Sequence, residues 1–379
     1  MPDKPTGPAA PLRPPTRTTR AGLASDAAYR AVVPPVYLTT TFAFEDLDEH
    51  GPYDYARSGN PTRRLLADTL ADLEGGTGAE VTASGLGAAT AVVHALTAAG
   101  DLVVAPHDCY GGTWRLFDGL ARQGRLRVEW ADLTSDGAAD LIADRAPRLV
   151  WVETPSNPLL RVTDIARVAA AAHAAAAVAA VDNTFLSPAL QTPLALGADV
   201  VVHSTTKYLN GHSDVVGGAV VAKDPAVAEA LQWWCNALGL TGGAFDAYLT
   251  LRGLRTLHRR IEAHGANAAR LVDVLAAHPA VRALYYPGLP SHPGHDLAAR
   301  QQRGFGAIVS FDVGSEAAAR RLLDGLRLFS LAESLGGVES LVCHPGLMTH
   351  AAMPSEVQAA AGLTPGLLRL SVGIEDPDD

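Results

Sequence analysis

The sequence predicts an α/β protein in two parts: a mostly parallel, seven-stranded sheet covered on both faces by helices, then a smaller α+β domain. Three observations carry this. Short apolar runs alternate with helical patterns through the first two-thirds of the chain. The alternation stops after Gly243. A chain of 379 residues is also too long for one compact core.

Strands are expected at 79–83, Asp101–Pro106, Leu126–Ala131, 148–153, Val178–Asp182, 199–203 and 216–222. Helical patterns lie between them at Pro61–Glu74, 85–99, 112–123 and 164–177. The last is alanine-rich, and alanine is the best helix former, so low complexity does not argue against a helix there. Beyond Gly243 a long helix at 244–263 leads to another at 266–277, and short strands follow, such as 307–313. There is no internal repeat. Residues 1 to about 20 are rich in Pro, Thr and Arg and are expected to stay disordered until they meet a partner surface.

Composition narrows the class. The hydrophobic fraction of 48% with 18% charged residues is that of a soluble globular enzyme. The net charge of −10 argues against a nucleic-acid or anionic-membrane partner, which would want a basic face. Cys109, Cys235 and Cys343 are odd in number and widely spaced, so neither a disulfide framework nor a metal motif is expected. No apolar run approaches the roughly 20 residues that span a bilayer, and no hydrophobic signal region opens the chain. A reducing cytoplasm is the expected home.

The chemistry concentrates around Lys207. The stretch Asp199-Val-Val-Val-His203-Ser-Thr-Thr-Lys207 reads as a buried strand running into a polar turn. This holds an amine at the lip of the sheet, where open α/β sheets bind ligands. Ser204 and Thr206 beside it could hold a phosphate. An amine next to a phosphate cradle is what pyridoxal 5'-phosphate (PLP) requires. Taken alone, Lys207 is equally a solvent lysine after a strand. Asp182 ends another apolar strand about one β-α-β step earlier, and a carboxylate there would keep the cofactor's pyridine nitrogen protonated. Asp182 alone could be a helix N-cap; the pair favours the cofactor. Gly85-Leu86-Gly87 opens a helix after a strand and half-matches a dinucleotide fingerprint, but the third glycine is missing and the expected acid is not placed. A glycine-rich helix N-terminus binds any phosphate, so it is read as part of the PLP cradle. His292-Pro-Gly-His295 lacks a third metal ligand and reads as a surface loop, so no metal is expected.

The motifs along the chain, in order, are Tyr55-Ala-Arg57-Ser-Gly-Asn-Pro-Thr, Ala105-Pro-His-Asp-Cys-Tyr110-Gly-Gly-Thr-Trp-Arg115, Glu153-Thr-Pro-Ser-Asn157-Pro, Val181-Asp182-Asn-Thr-Phe, Trp233-Trp-Cys-Asn236, Leu331-Ala-Glu333-Ser334-Leu-Gly-Gly and Leu368-Arg369-Leu-Ser-Val-Gly. With these the chain resembles the PLP-dependent enzymes of cysteine and methionine transsulfuration, a branch of the fold-type I transferases, from about Thr18 to Asp376. The resemblance implies three segments. Residues 1–55 form an arm that contacts a neighbouring subunit, 56–243 the PLP-binding domain, and 244–379 the C-terminal domain.

The resemblance also implies roles. Lys207 would bind the cofactor and act as base, and Tyr110 would lie over its ring, where Gly111 and Gly112 allow close approach of backbone to a ligand. Gly85, Leu86, Ser204 and Thr206 would hold the phosphate, Asp182 and Thr184 the ring, and Asn157 its oxygen side. Tyr55 and Arg57 would reach the phosphate from the neighbouring subunit, so a dimer or dimer of dimers is implied. Arg369 would clamp the substrate α-carboxylate with Ser334 beside it. Glu333 would hold the ammonium of an incoming cysteine, Arg115 would pair with a distal carboxylate, and Asn236 would also meet substrate.

The implied reaction is γ-replacement on an O-acylated homoserine with cysteine to give cystathionine. The alternative is γ-elimination, and a remote one is a non-catalytic binding descendant. Several positions differ from relatives: Leu86 replaces the usual methionine, and Pro345 and Gly346 in Cys343-His-Pro-Gly-Leu-Met348-Thr-His350 replace small residues in a loop expected near the substrate. Ser58 stands where the γ-replacing synthases carry a second arginine, and Gly112 where methionine-cleaving lyases carry cysteine.

Overall fold

The computed structural model describes residues 12–49 and 51–379. Seven strands form the first sheet: β1 (Gly78–Thr82), β2 (Asp101–Pro106), β3 (Leu126–Ala131), β4 (Leu149–Glu153), β5 (Val178–Asp182), β6 (Val200–His203) and β7 (Gly218–Ala222). Their order is β1-β7-β6-β5-β4-β2-β3, parallel from β3 to β6, with β7 antiparallel to both neighbours. Five more strands form the second sheet: β8 (Ala283–Tyr285), β9 (Ile308–Asp312), β10 (Ser330–Leu331), β11 (Leu341–Cys343) and β12 (Leu367–Ser371), in the order β10-β11-β12-β9-β8. All its pairs are antiparallel except β10 with β11.

Strand alternation decides what reaches the site. Side chains point to opposite faces with period two. Val103, Leu149, Trp151, Ala180, Val200 and Val202 pack with Val92 and Phe117 on one face. Val104, Val150, Val152, Val181 and Val201 pack with Leu66, Leu70 and Val168 on the other. The same alternation sends Asn183 and His203 to the second face, where both meet Glu74: His203 Nε2 donates to Glu74 Oε1 at 2.7 Å and Asn183 Nδ2 donates to it at 2.9 Å. Glu74 and His203 are fully sequestered, so this pair fixes the ends of β5 and β6 from behind. On β12, Leu368 and Leu370 join the core of the second sheet while Arg369 turns toward the first.

Several boundaries differ from the sequence reading. The helix expected at 244–263 ends at Leu254, and the next runs unbroken from Leu257 to Ala277. The break falls after Gly253 because Asn210 O packs against it, where a Cβ would come to 2.0 Å. Arg260 then caps the Gly253 carbonyl at 2.8 Å. Gly265, in open space, does not interrupt the second helix. The strand expected from 216 starts at Gly218, and Val216 instead faces the site cavity.

The disorder expected for residues 1 to about 20 lies outside the described residues for 1–11, and 14–19 contradict it. Pro14–Thr19 is a helix with proline in its first turn, Arg17 Nη1 reaches Asp72 Oδ1 at 2.8 Å, and Thr18 and Ala21 are buried. Over 24–49 and 51–58 the chain has little regular structure and exposes Tyr29, Val32, Leu38 and Leu47. All three cysteines are free and buried. Among the described residues no helix is long and apolar enough to cross a membrane.

Candidate active site

A cavity of about 420 Å³ opens where the C-terminal ends of β4, β5 and β6 face the second sheet. This is the place an open parallel sheet offers a ligand. Of the residues expected at a site, it gathers Gly85, Leu86, Tyr110, Asn157, Asp182, Thr184, Ser204, Thr206, Lys207, Glu333, Ser334 and Arg369. They come from both sheets and are up to 284 residues apart in sequence (369 − 85).

Lys207 Nζ donates to Ser334 Oγ at 2.7 Å. Burial, and then the Arg369 charge nearby, push the amine from 10.5 down to about 8, while Glu333 opposes the shift. Ser334 sits in the left-handed region at φ +84°, unusual for a residue with a side chain. Arg369 holds it there, since Nη2 donates to Ser334 O at 2.9 Å while Nη1 donates to Asn157 Oδ1 at 2.8 Å. Nε of Arg369 is buried without a partner, a donor free for an anion in the cavity. Arg369 is central in its sheet, paired with Cys343 on one side and Ser310 on the other.

The remaining polar groups form a phosphate cradle and a carboxylate wall. Ser84 caps the helix Gly85–Leu96 by accepting from Gly87 N at 3.0 Å. The amides of Gly85 and Leu86 are left at a positive helix terminus. A Cβ at Gly85 would come to 2.8 Å from Ser204 Cβ, so only glycine lets this helix start touch the turn that carries Ser204. Thr206 lines the cavity, but its hydroxyl donates to Gly217 O at 3.1 Å, so it braces the turn. Asp182 Oδ1 accepts from Thr184 N at 2.9 Å, and Thr184 Oγ1 accepts from Ser204 N at 2.8 Å. Burial raises the Asp182 carboxyl, with Thr184 and His203 opposing, so a cationic ring nitrogen is the partner that would settle its charge. An amine, a helix-terminal cradle and a buried acid thus fit PLP.

Tyr110 differs from expectation in one respect. A Cβ at Gly112 would come to 2.4 Å from Tyr110 Cε1, and one at Gly111 to 2.5 Å from Thr349 O. These glycines therefore admit the protein's own ring and chain rather than a ligand. Gly112→Ala should displace the Tyr110 ring and lower kcat about tenfold or more by opening the site to water. Steady-state rates would check this; a wild-type kcat would show that the ring need not lie there.

Four expected residues do not line this cavity. Arg115 is exposed, while Thr113 and Phe117, two residues to either side, are buried on the opposite face of the helix Gly111–Arg122. Its charge still lowers the Tyr110 phenol, whose overall shift is upward through burial. Tyr55 and Arg57 line a separate surface pocket of about 490 Å³. There Arg57 Nη1 donates to Asn236 Oδ1 at 2.6 Å, which also takes Asn236 away from the cavity.

The sequence reading missed Glu153, Phe185 and Thr349, which all line the cavity. Glu153 had a legible signal, since it ends an apolar strand as Asp182 does and stands opposite it in register. It accepts from Tyr110 N at 2.8 Å, and burial beside Asp182 raises its carboxyl well above the usual range. Thr349 lies in the loop 343–350, which the sequence reading places near the substrate without singling out Thr349 itself. His292 Nδ1 accepts from Gly294 N in a turn, and His295, which opens the helix His295–Gln301, bonds Pro287 O through Nδ1.

This constellation defines a PLP-dependent enzyme of amino-acid chemistry, and comparison with known proteins narrows it. Residues 15–379 match the family described as Cys/Met metabolism PLP-dependent enzyme, and the chain belongs to that family. It is 55% identical to the cystathionine gamma-synthase of Escherichia coli (strain K12), over 96% of this chain and 95% of that one. It is 46% identical to the cystathionine gamma-lyase of Dictyostelium discoideum, over 96% and 94%. The crystal structure of cystathionine gamma synthase from Xanthomonas oryzae pv. oryzae in complex with aminoacrylate and cysteine superposes with a TM-score of 0.96 at 56% identity, covering 97% of this chain and 96% of that one.

Proposed function

We propose that the protein catalyses γ-replacement on an O-acylated homoserine with cysteine, giving cystathionine. A carbon–sulfur bond forms at Cγ as the Cγ–O bond breaks, and the acyl group leaves as a carboxylic acid. The observation that carries the reading is the meeting of Lys207, Arg369 and Glu333 in one cavity: a near-neutral base, a carboxylate clamp and an acceptor for a second amino acid's ammonium. Similarity to γ-synthases over nearly the whole chain supports it.

PLP held there would supply an electron sink for charge developed at Cα and Cβ. The protein's own part follows from its geometry. The amides of Gly85 and Leu86 with Ser204 hold the phosphate. Asp182, braced by Thr184, holds the ring nitrogen as a cation. Arg369 fixes the α-carboxylate, which aims the Cα proton at Lys207 Nζ. Lys207 takes that proton and returns one later, with an amine near 8 suited to both tasks at neutral pH. Tyr110 closes the ring face against water.

Tyr55, Arg57 and Asn236 lie on a surface outside the cavity of their own chain, beside an arm with exposed Tyr29, Val32 and Leu47. We assign them to the neighbouring subunit's site, in a dimer or dimer of dimers. Mixing inactive Arg57→Ala and Lys207→Ala proteins should restore part of the activity by pairing one intact site per hybrid. No recovery after demonstrated subunit exchange would sink the shared site. Three reduced, buried cysteines fit a cytoplasmic location.

The similarity to a γ-lyase favours γ-elimination as the competing reading. The deciding assay supplies O-succinyl-, O-acetyl- and O-phosphohomoserine with and without cysteine and identifies products by mass. Cystathionine as the main product supports γ-replacement. Rapid 2-oxobutyrate release that cysteine does not suppress would replace it with elimination.

A further inference from the structure

We propose that His350 is a positioning residue that fixes Thr349 as a hydrogen-bond acceptor toward the cavity, so that Thr349 and Glu333 together select the ammonium group of the incoming amino-acid thiol. The inference rests on the γ-replacement reading and refines how its second substrate is recognised.

His350 is buried, and both of its ring nitrogens bear on the site. Nε2 lies 3.0 Å from the Asn157 main-chain oxygen, and Nδ1 lies 2.8 Å from Thr349 Oγ1. A carbonyl oxygen only accepts, so Nε2 carries the hydrogen. Burial, reinforced by the Arg369 charge, pushes the imidazole down to about 4 against the opposing pull of the Asn157 and Cys109 main chains, so the ring is neutral under working conditions. Nδ1 then has no hydrogen and only accepts, which makes the Thr349 hydroxyl the donor. A hydroxyl has a single hydrogen, so Thr349 can offer the cavity lone pairs alone.

The loop cannot easily escape this arrangement. His350 N donates to Pro345 O at 2.9 Å, and Gln358 Nε2 donates to His350 O at 3.0 Å. The Thr349 carbonyl lies so close to Gly111 that a Cβ there would meet it at 2.5 Å. Through Asn157 the same imidazole also braces Arg369, whose Nη1 donates to Asn157 Oδ1.

An acceptor-only hydroxyl discriminates by chemistry. It repels a carboxylate or ether oxygen and welcomes N–H groups. Two other acids line the cavity, Glu153 and Asp182, at the strand ends where the cofactor ring would lie. Glu333 and Thr349 instead come from the loops after β10 and β11, on the side of the second sheet. A carboxylate and a fixed acceptor there suit the three donors of an ammonium, while Lys207 and Arg369 disfavour it elsewhere.

The test uses the full-length holoenzyme with whichever of O-succinyl- or O-acetylhomoserine the wild type turns over. It compares kcat/KM for cysteine and for 3-mercaptopropionate, the same thiol acid without the amine. The ratio should favour cysteine in the wild type. It should fall about tenfold in Thr349→Val and in His350→Phe, through a raised KM for cysteine, as expected when one hydrogen bond to a charged group is lost. Thr349→Ser, which keeps the hydroxyl, should restore it. A wild-type ratio in Thr349→Val and His350→Phe, or equal losses with both thiols, would overturn the inference. If His350→Phe does not fold, Thr349→Val decides alone. A wild type that makes no thioether from either thiol would instead overturn the γ-replacement reading itself.

Discussion

Lys207→Ala should lower kcat by about a thousandfold or more, within the range removed with a positioned acid–base group, while leaving the fold intact. Lys207 lies in the turn after β6, and its side chain touches Ser334 rather than the core, so its loss leaves packing alone. The purified wild type should be yellow, and borohydride should fix the cofactor to the peptide containing Lys207. The variant should bind PLP without that covalent link. The depressed amine adds a pH dependence with a defined sign. Only the neutral amine attacks an aldehyde, and burial lowers its pKa to about 8. Capture of PLP by the apoprotein should therefore rise with pH and level off just above 8, rather than climb toward the 10.5 of a free lysine. A wild type that takes up no PLP, or a variant with unchanged turnover, would remove Lys207 from the mechanism.

Arg369→Ala should reduce kcat/KM about a hundredfold, mostly through KM, because it removes a charge-assisted clamp and leaves Asn157 Oδ1 and Ser334 O without their donor. Arg369→Lys should recover little of this. One ammonium cannot reach Asn157, Ser334 and a substrate carboxylate in the fixed geometry of a guanidinium fork. Because Arg369 also keeps Ser334 at φ +84°, its loss should free the hydroxyl that meets Lys207 and shift the pH profile of kcat. Kinetics across pH with both variants would check this. If Arg369→Lys matched the wild type, the bidentate clamp would be wrong.

What the sequence revealed depended on how local the signal was. The apolar runs from 101 to 203 gave the parallel strands nearly to the residue, because the central ones, β4 to β6, are buried on both faces. Asp182 was legible because it ends such a run, and Lys207 and Gly85 because each lies a few residues beyond a strand. The helix break at Leu254 was not, since it depends on Asn210 packing against Gly253 across 43 residues of sequence (253 − 210). The exposure of Arg115 was not legible, because spacing from Tyr110 does not say which helix face is buried, which Phe117 decides. Thr349 and His350 reach the site through a loop whose course depends on Gly111 and Gln358, contacts without a periodic trace.

The three buried cysteines have a consequence for an enzyme whose co-substrate is itself a thiol. Disulfide exchange proceeds through a thiolate that can be reached from solvent. Burial raises the Cys109 and Cys343 thiols and pushes Cys235 up to about 12, so none offers a thiolate at neutral pH. Such a protein can stand in concentrated cysteine, and in the cystine that air makes from it, without being capped by the molecule it consumes.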